Sequence, residues 1–497
     1  MSTNFPIQKQ GLYNPLNEKD SCGVGMIAKI NGERNHFIVD CGLKILMNME
    51  HRGAAGSDPK AGDGAGLLTQ LPYEFFNSTV KELKGSPADE SDYAVGMFFF
   101  PQDQNLIEQY KQIIESEIQK EQLLTITWRG VPVNPDCLSK KMLPMVPAVQ
   151  QVFVSSNSLD SDELERRLYI VRRQIENKIE ESDLPDKNFF YCCSFSSRNI
   201  IYKGMFLAFQ LREFFPDLSH PKFISSIAVV HQRYSTNTFP SWSLAQPFRS
   251  VAHNGEINTI QGNINWINAR EDQFMSHLFG DNLKKTFPVI RPDGSDTSSF
   301  DNVFEFLCQT GRSLERTMSM MIPQAWENDA QLDEKIKGYY EYNSALMEPW
   351  DGPVAMIFSD GINVGAALDR NGLRPLRFEE TAGGYFVLGS EAGIAEIPND
   401  KIIKKGKLKP GQMLLVDTIE ECVRYDSELK MSLASENNYC DWVRENKITL
   451  GNLNVPPALE QPQYSELALR QRVFNYTYEE IHQLIKPMAI KGEEAIG

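Results

Sequence analysis

Cys22-Gly23-Val24-Gly25-Met26-Ile27-Ala28-Lys29-Ile30 is the stretch on which the fold of this chain turns. Its small and apolar residues read as a buried β-strand that opens on a cysteine. Such a cysteine is most simply a small apolar side chain, while the glycines beside it would let a substrate approach the backbone closely. Upstream, residues 1–21 are polar and turn-rich, read as a tail, and lack the apolar run of a secretory signal. Downstream, Val39, Leu43, Leu46 and Met47 recur at helical spacing and lead into His51-Arg52-Gly53, which on its own is a helix end with a glycine stop.

Further out, Gly62-Asp63-Gly64-Ala65-Gly66 leads into a strand at Leu67–Leu71. It lacks the Lys-Ser/Thr ending of a phosphate loop, and no helical pattern follows it. Strands are expected at Ala94–Phe100, Ile200–Leu207, Ile224–Val230, Val354–Phe358, Val364–Leu368 and Tyr385–Leu388. Asp160 with Glu163 forms a capping box and Leu159 with Leu164 a staple. They precede a long amphipathic helix marked by Leu164, Leu168, Val171, Ile175 and Ile179, whose charged face is expected in solvent. Strands and helices mix without regular alternation, which predicts α+β layers rather than a doubly wound sheet. Beyond about residue 430 the character changes. Leu453–Tyr464 reads as a Pro-rich linker, and Tyr464–Gly497 as helical, the start of a second α/β domain that the chain leaves incomplete.

The 497 residues allow two to four domains. A formal charge of −16 and the absence of any Lys/Arg-rich run argue against nucleic-acid binding. No apolar run reaches membrane-spanning length, and a cytoplasmic location is the default expectation. The eight cysteines contain no C-x-x-C pair and read as reduced, mostly buried thiols, with no metal site among them.

Three further segments carry chemistry. His253-Asn254-Gly255-Glu256 favours a turn, and the Asn254 amide with the Gly255 N–H could also face one developing negative charge. Arg233, directly after a strand, could grip a carboxylate through two parallel hydrogen bonds or simply form a surface ion pair. Gly294-Ser295-Asp296-Thr297 reads as a helix N-cap, with Asp296 also suited to an ammonium group. A free amino acid needs an anion clamp, a cation clamp, a nucleophile and an oxyanion hole. Arg233, Asp296, Cys22 and Asn254/Gly255 supply one each.

CGVG at 22–25, EHRGA at 50–54, GDGAGLL at 62–68, RYSTNTFPSW at 233–242, AQPFRSVAHNGEINTIQGN at 245–263, GSDTSSFDNVFE at 294–305 and DRNGLRPLR at 369–377 resemble the class II glutamine amidotransferase domain of glutamate synthase large subunits. The resemblance covers about residues 22–430, and YTYEEIHQLIKPMAIKGEEAIG at 476–497 resembles the start of that family's central domain. It implies a four-layer αββα sandwich of the N-terminal-nucleophile hydrolase type. It also implies a propeptide at 1–21, a linker at 431–463 and central-domain sequence from 464. By the same resemblance Cys22 becomes N-terminal and is the nucleophile, and Asn254 and Gly255 form the oxyanion pair. Arg233 and Asp296 hold the glutamine α-carboxylate and α-amino group, and Arg52 is the arginine beside the nucleophile, orienting either substrate or cysteine. Glutamine is the implied substrate. FMN and a 3Fe–4S cluster are implied for downstream domains, with 2-oxoglutarate as ammonia acceptor and either a pyridine-nucleotide-oxidising small subunit or ferredoxin as electron donor. A freed α-amino group has a pKa near neutrality and can serve as general base, so no histidine partner is required. The other readings are an amidotransferase serving a different acceptor, and a binding or scaffolding domain that keeps Met1–Ser21 attached and leaves Cys22 a mid-chain thiol.

Overall fold

The structure, a computed structural model, describes residues 22–53, 58, 60–84, 93–156, 159–233, 241–292, 294–453 and 463–495. Among them, sixteen strands build three antiparallel sheets. In chain order the strands are β1 (Gly23–Lys29), β2 (Ala65–Gln70), β3 (Tyr93–Phe100), β4 (Leu124–Gly130), β5 (Ala148–Ser155), β6 (Tyr191–Ser196), β7 (Asn199–Gly204), β8 (Ile227–Gln232), β9 (Val251–Gly255), β10 (Val354–Ser359), β11 (Asn363–Leu368), β12 (Arg377–Thr381), β13 (Tyr385–Gly389), β14 (Ile402–Lys407), β15 (Met413–Asp417) and β16 (Cys422–Tyr425). Seven strands form one sheet in the order β14-β12-β13-β1-β8-β2-β7, five form β16-β15-β11-β10-β9, and four form β4-β5-β3-β6.

Alternating side chains decide how the sheets stack, because successive residues of a strand face opposite ways. Val24, Met26 and Ala28 of β1 share one apolar cluster with Ala355 and Ile357 of β10 and Val364 and Ala366 of β11. The seven- and five-stranded sheets therefore pack face to face. Ile27, on the other side of β1, packs with Ile38, Leu43 and Leu46 of the helix His36–Asn48. On the far face of the five-stranded sheet, Val354, Met356 and Phe358 pack with Phe300, Val303 and Phe304 of the helix Asp296–Gln309. The layers run helix, sheet, sheet, helix, which is the αββα sandwich expected. The four-stranded sheet is an added wing, its outer face covered by the helices Gln104–Lys120 and Ser161–Glu181.

Glycine is what lets the first helix lie close. A Cβ at Gly25 would stand 2.6 Å from Ile45 Cγ2, and one at Gly42 would stand 2.8 Å from the Ala228 Cβ. A Cβ at Gly23 would meet Met49 Sδ at 3.0 Å and Arg52 Cδ at 3.2 Å. The Cβ positions of the CGVG glycines are thus filled by a helix and an arginine. Met47 of that helix is exposed, and Met49, its C-cap, takes the buried place expected of Met47.

Two other expectations are corrected. The charged face of Ser161–Glu181 is solvated only toward its ends, where Asp162, Lys178, Glu180 and Glu181 are exposed; in its middle Arg172, Arg173 and Glu176 are buried. Arg172 meets Glu176 at 3.0 Å and Glu305 at 2.6 Å, Arg249 meets Glu176 at 3.1 Å, and Arg173 also pairs with Glu176. Burial favours the neutral acid, but the surrounding guanidiniums hold the Glu176 carboxyl well below the usual range. The helix is enclosed because it is packed between the four-stranded wing and the segments that carry Arg249 and Glu305, a tertiary circumstance its own periodicity does not encode. Of the eight free cysteines only Cys22, Cys192 and Cys193 are buried, and Cys440 is exposed.

The chain divides into two units, Met1–Val443 and Arg444–Gly497. Helix Asp426–Ser435 runs through the expected boundary at 430, and Leu433, Ala434 and Tyr439 pack with Ile336, Tyr339 and Tyr340. Apolar burial therefore carries the first unit past 430. In the second unit, helix Tyr464–Val473 and the turns of Glu480–Lys491 have no buried residue among those described.

Replacing Glu176 by Gln leaves several buried guanidiniums without their shared carboxylate. Loss of one partner from a buried ion pair costs about 3–5 kcal/mol. Denaturant unfolding of Glu176→Gln is expected to show a destabilisation of that order.

Candidate active site

Cys22 immediately precedes β1 and is 8 % exposed. Burial pushes its thiol up to about 11; Arg233 and Arg374 pull against that shift, and Asp296 adds to it. The three charged groups lie near enough to act on the thiol, so the fold gathers Cys22, Arg233 and Asp296 from positions more than 60 residues apart in sequence. At neutral pH this thiol is protonated, and a nucleophile here needs a base at the moment of attack.

Arg233 follows the last residue of β8, whose Gln232 pairs with Gly23 of β1. Its φ is +79°, a left-handed conformation unusual for arginine. The Arg233 N–H donates to Gly64 O at 2.8 Å. The glycine-rich segment 62–66 therefore grips the backbone of this turn. It has no room to cradle a phosphate, since a Cβ at Gly62 would lie 2.1 Å from Phe206 C and Leu207 N. Residues 234–240 of the RYSTNTFPSW block lie outside the described residues.

Asn254 and Gly255 end β9 on the facing sheet. Asn254 is buried, and its Nδ2 donates to Ser390 Oγ at 3.3 Å. Gly255 has a φ of +144°, and a Cβ there would stand 1.7 Å from Pro353 O, so only glycine fits. Asp296 begins its helix behind the Ser295 N-cap, whose side chain accepts from Ser298 N. The Asp296 carboxylate reaches across to accept from Ile257 N at 3.0 Å, binding the helix start to the loop that follows Gly255.

His253 is structural. Its Nδ1 lies 2.9 Å from Thr297 Oγ1, its backbone N–H donates to Gln246 Oε1 at 2.8 Å, and its carbonyl accepts from His231 Nε2 at 3.0 Å. Burial lowers His253 to about 4 and His231 to about 3, so both rings are neutral at physiological pH. His51 and Arg52 share Glu391, at 2.8 and 2.9 Å. Desolvation opposes ionisation of that carboxyl, yet the His51 and Arg52 bonds hold it at about 2.

Two neighbours of these residues escaped the sequence reading. Arg374 sits within the DRNGLRPLR block, but nothing local separates it from Arg370, which pairs with Asp351 at 2.9 Å, or from Arg377. Ser390 carries no motif at all, and only its register opposite Val24 brings it to the site.

The sequence profile described as Glutamine amidotransferases class-II matches residues 22–442. The chain belongs to the class-II glutamine amidotransferases. It is 42% identical over 499 residues to the glutamate synthase [NADPH] large chain of Bacillus subtilis (strain 168), covering 100% of this chain and 32% of that one. The large chain of Azospirillum brasilense is also 42% identical, over 98% of this chain and 32% of its own length. The ferredoxin-dependent glutamate synthase 2 of Synechocystis sp. (strain ATCC 27184 / PCC 6803 / Kazusa) is 39% identical, over 96% and 31%. The chain thus spans about a third of the length of these curated relatives. Among solved structures, the glutamine phosphoribosylpyrophosphate amidotransferase of B. subtilis matches over 73% of this chain and 48% of that one, at 13% identity and a TM-score of 0.28. Among the described residues no helix is long and apolar enough to cross a membrane, and no group of three or more His, Cys, Asp or Glu could hold a metal ion.

The buried histidines set an acid limit to stability. A histidine whose folded pKa is depressed stabilises the fold above its unfolded value of about 6.5, and that contribution is lost as pH falls toward the folded value. Between pH 7 and pH 5, His231 and His253 are each expected to remove about 1–2 kcal/mol of unfolding free energy. Denaturant titrations at several pH values check this, with a shallower dependence expected for His253→Gln.

Proposed function

We propose that this chain is the glutamine-cleaving part of a glutamate synthase, acting through Cys22 once residues 1–21 are removed. The observation that carries the proposal is a buried thiol at the head of β1 within the electrostatic reach of both Arg233 and Asp296. Those are the two charges that a zwitterionic amino acid requires. Membership of the class-II family and the similarity to glutamate synthase large chains support it.

In this reading the freed α-amino group of Cys22 accepts the thiol proton, directly or through water. While Ser21 is attached that nitrogen is an amide and cannot act as a base. Sulfur attacks the glutamine side-chain carbonyl carbon, and the carbonyl electron pair moves to oxygen. The Asn254 Nδ2 and the Gly255 N–H stabilise that oxyanion. Collapse expels the amide nitrogen, which takes up the proton and leaves as ammonia, with a thioester remaining on Cys22. Water then attacks the thioester, releasing glutamate and regenerating the thiol. Arg233 grips the substrate α-carboxylate and Asp296 its α-ammonium group. Arg52 braces the start of β1 from its place against Gly23, held by Glu391.

The ammonia would pass, in the longer protein, to 2-oxoglutarate to form a second glutamate. FMN and a 3Fe–4S cluster would serve that reaction, and the electron donor would be a pyridine-nucleotide-oxidising subunit or ferredoxin. We assign both groups to the part of the relatives that this chain does not span. Residues 464–497 would begin the central domain, and the setting would be cytoplasmic.

Protein beginning at Cys22 is expected to release ammonia from glutamine and to make no glutamate from 2-oxoglutarate. Protein shown by mass spectrometry to retain Met1–Ser21 is expected to be nearly inactive, and equal activity of the two preparations would refute the N-terminal-nucleophile mechanism. Cys22→Ala should abolish ammonia release, whereas single replacements of the other seven cysteines should not.

Asn254→Ala should lower kcat by about 10²–10³ with little change in KM, since an oxyanion donor acts on the transition state. Arg233→Ala should instead raise KM strongly. Steady-state kinetics separate the two, and a pure KM effect in Asn254→Ala would contradict its assigned role.

A further inference from the structure

Residues 389–391, at the end of β13, meet β1, β9 and the His51–Arg52 turn. Gly389 pairs with Gly25 of β1, and Glu391 holds His51 and Arg52. Between them Ser390 is fully buried, and its backbone N–H donates to Val24 O at 2.9 Å. Its Oγ accepts from Val24 N at 2.8 Å and donates to Val24 O at 3.1 Å. A hydroxyl has a single hydrogen. With that hydrogen committed to the Val24 carbonyl, Oγ can face Asn254 only as an acceptor.

That constraint fixes which end of the Asn254 carboxamide points where. An acceptor in contact with the amide demands the Nδ2 end, and the observed Nδ2 to Oγ distance is 3.3 Å. Nδ2 has two hydrogens. One is taken by Ser390, and the other remains for a second acceptor. The Oδ1 end, buried and without a hydrogen-bond partner among the described residues, provides no competing anchor. Ser390 is therefore the fixed point of the Asn254 side chain, and the same oxygen is bonded two residues from Cys22.

We propose that Ser390 is a positioning residue for glutamine cleavage: it orients the Asn254 carboxamide with Nδ2 toward the oxyanion, and sets its distance from the nucleophile by bonding both Asn254 and Val24. The inference rests on the glutaminase reading given above. Ser390 touches neither substrate nor reacting atoms in this scheme, and acts only through Asn254. Its loss should consequently appear in kcat and not in KM, and only while Asn254 is present.

The test is a double-mutant cycle on protein beginning at Cys22, with ammonia release as the readout. Ser390→Ala is expected to lower kcat about 10- to 50-fold, part of the full oxyanion-donor effect, with KM within about twofold. In an Asn254→Ala background the same substitution is expected to change kcat by less than about twofold, because no carboxamide is left to orient. Multiplicative effects of the two substitutions, or wild-type kcat in Ser390→Ala, would overturn the proposal. Ser390→Cys keeps the shape with a weaker acceptor, and serves if Ser390→Ala does not fold. It should lose about 3- to 10-fold in kcat, again only with Asn254 present, and wild-type kcat there would equally overturn it. A Cys22→Ala protein that still releases ammonia would instead bring down the glutaminase chemistry and the Ser390 role with it, whereas additivity brings down the Ser390 role alone.

Discussion

The close approach of helix His36–Asn48 to β1 is the contact on which the rest of the site depends. It exists because Gly23 and Gly25 present no side chain to the helix, so that Met49, Arg52 and Ile45 occupy that space. With the helix seated there, β1 is held between β13 and β8, and its other face packs Val24 and Met26 against the facing sheet. Cys22 inherits its place from that strand. A larger residue at 23 or 25 would displace the helix, the arginine or the strand, and the thiol with it.

Burial then imposes a chemical consequence. A thiol that is neutral at physiological pH despite two nearby arginines cannot act as a preformed thiolate. The histidines near it are no help, since His231 and His253 are neutral, buried and engaged with backbone and hydroxyl groups. A base freed at the cysteine's own nitrogen fits a site built this way, because it needs no further side chain and arrives already next to the sulfur.

Support for the site is polar as well as apolar, and the Ser390–Asn254 bond crosses between the two sheets. Asp296 binds the loop after Gly255, the Gly64 carbonyl binds Arg233, and Ser390 binds both Val24 and Asn254. Each bond joins segments far apart in sequence. The buried Glu176 cluster does the same between the four-stranded wing and the segments at Arg249 and Glu305. Buried charges and buried amides are costly unless satisfied, so these bonds narrow the arrangements the chain can adopt.

Much was legible from the residues alone. Period and punctuation marked β1, the first helix and the capped helix at Ser161, because local patterns report which face of an element is buried. The types of residue at 22, 233, 254, 255 and 296 named a chemistry, since an amino-acid substrate calls for those groups and few others. Tertiary structure decided the remainder. The CGVG glycines serve helix packing, the middle of the charged face of Ser161–Glu181 is buried rather than wet, and helical packing continues past residue 430. Arg374 and Ser390 came to light only in three dimensions. No local pattern distinguishes them, because what each does depends on strand register and on a neighbour more than 100 residues away. The sequence by itself determined the alternating faces and the reactive groups, which are properties of neighbouring residues. Which of those groups meet, and which oxygen turns the Asn254 amide toward its task, was decided by long-range packing, a property of no segment taken alone.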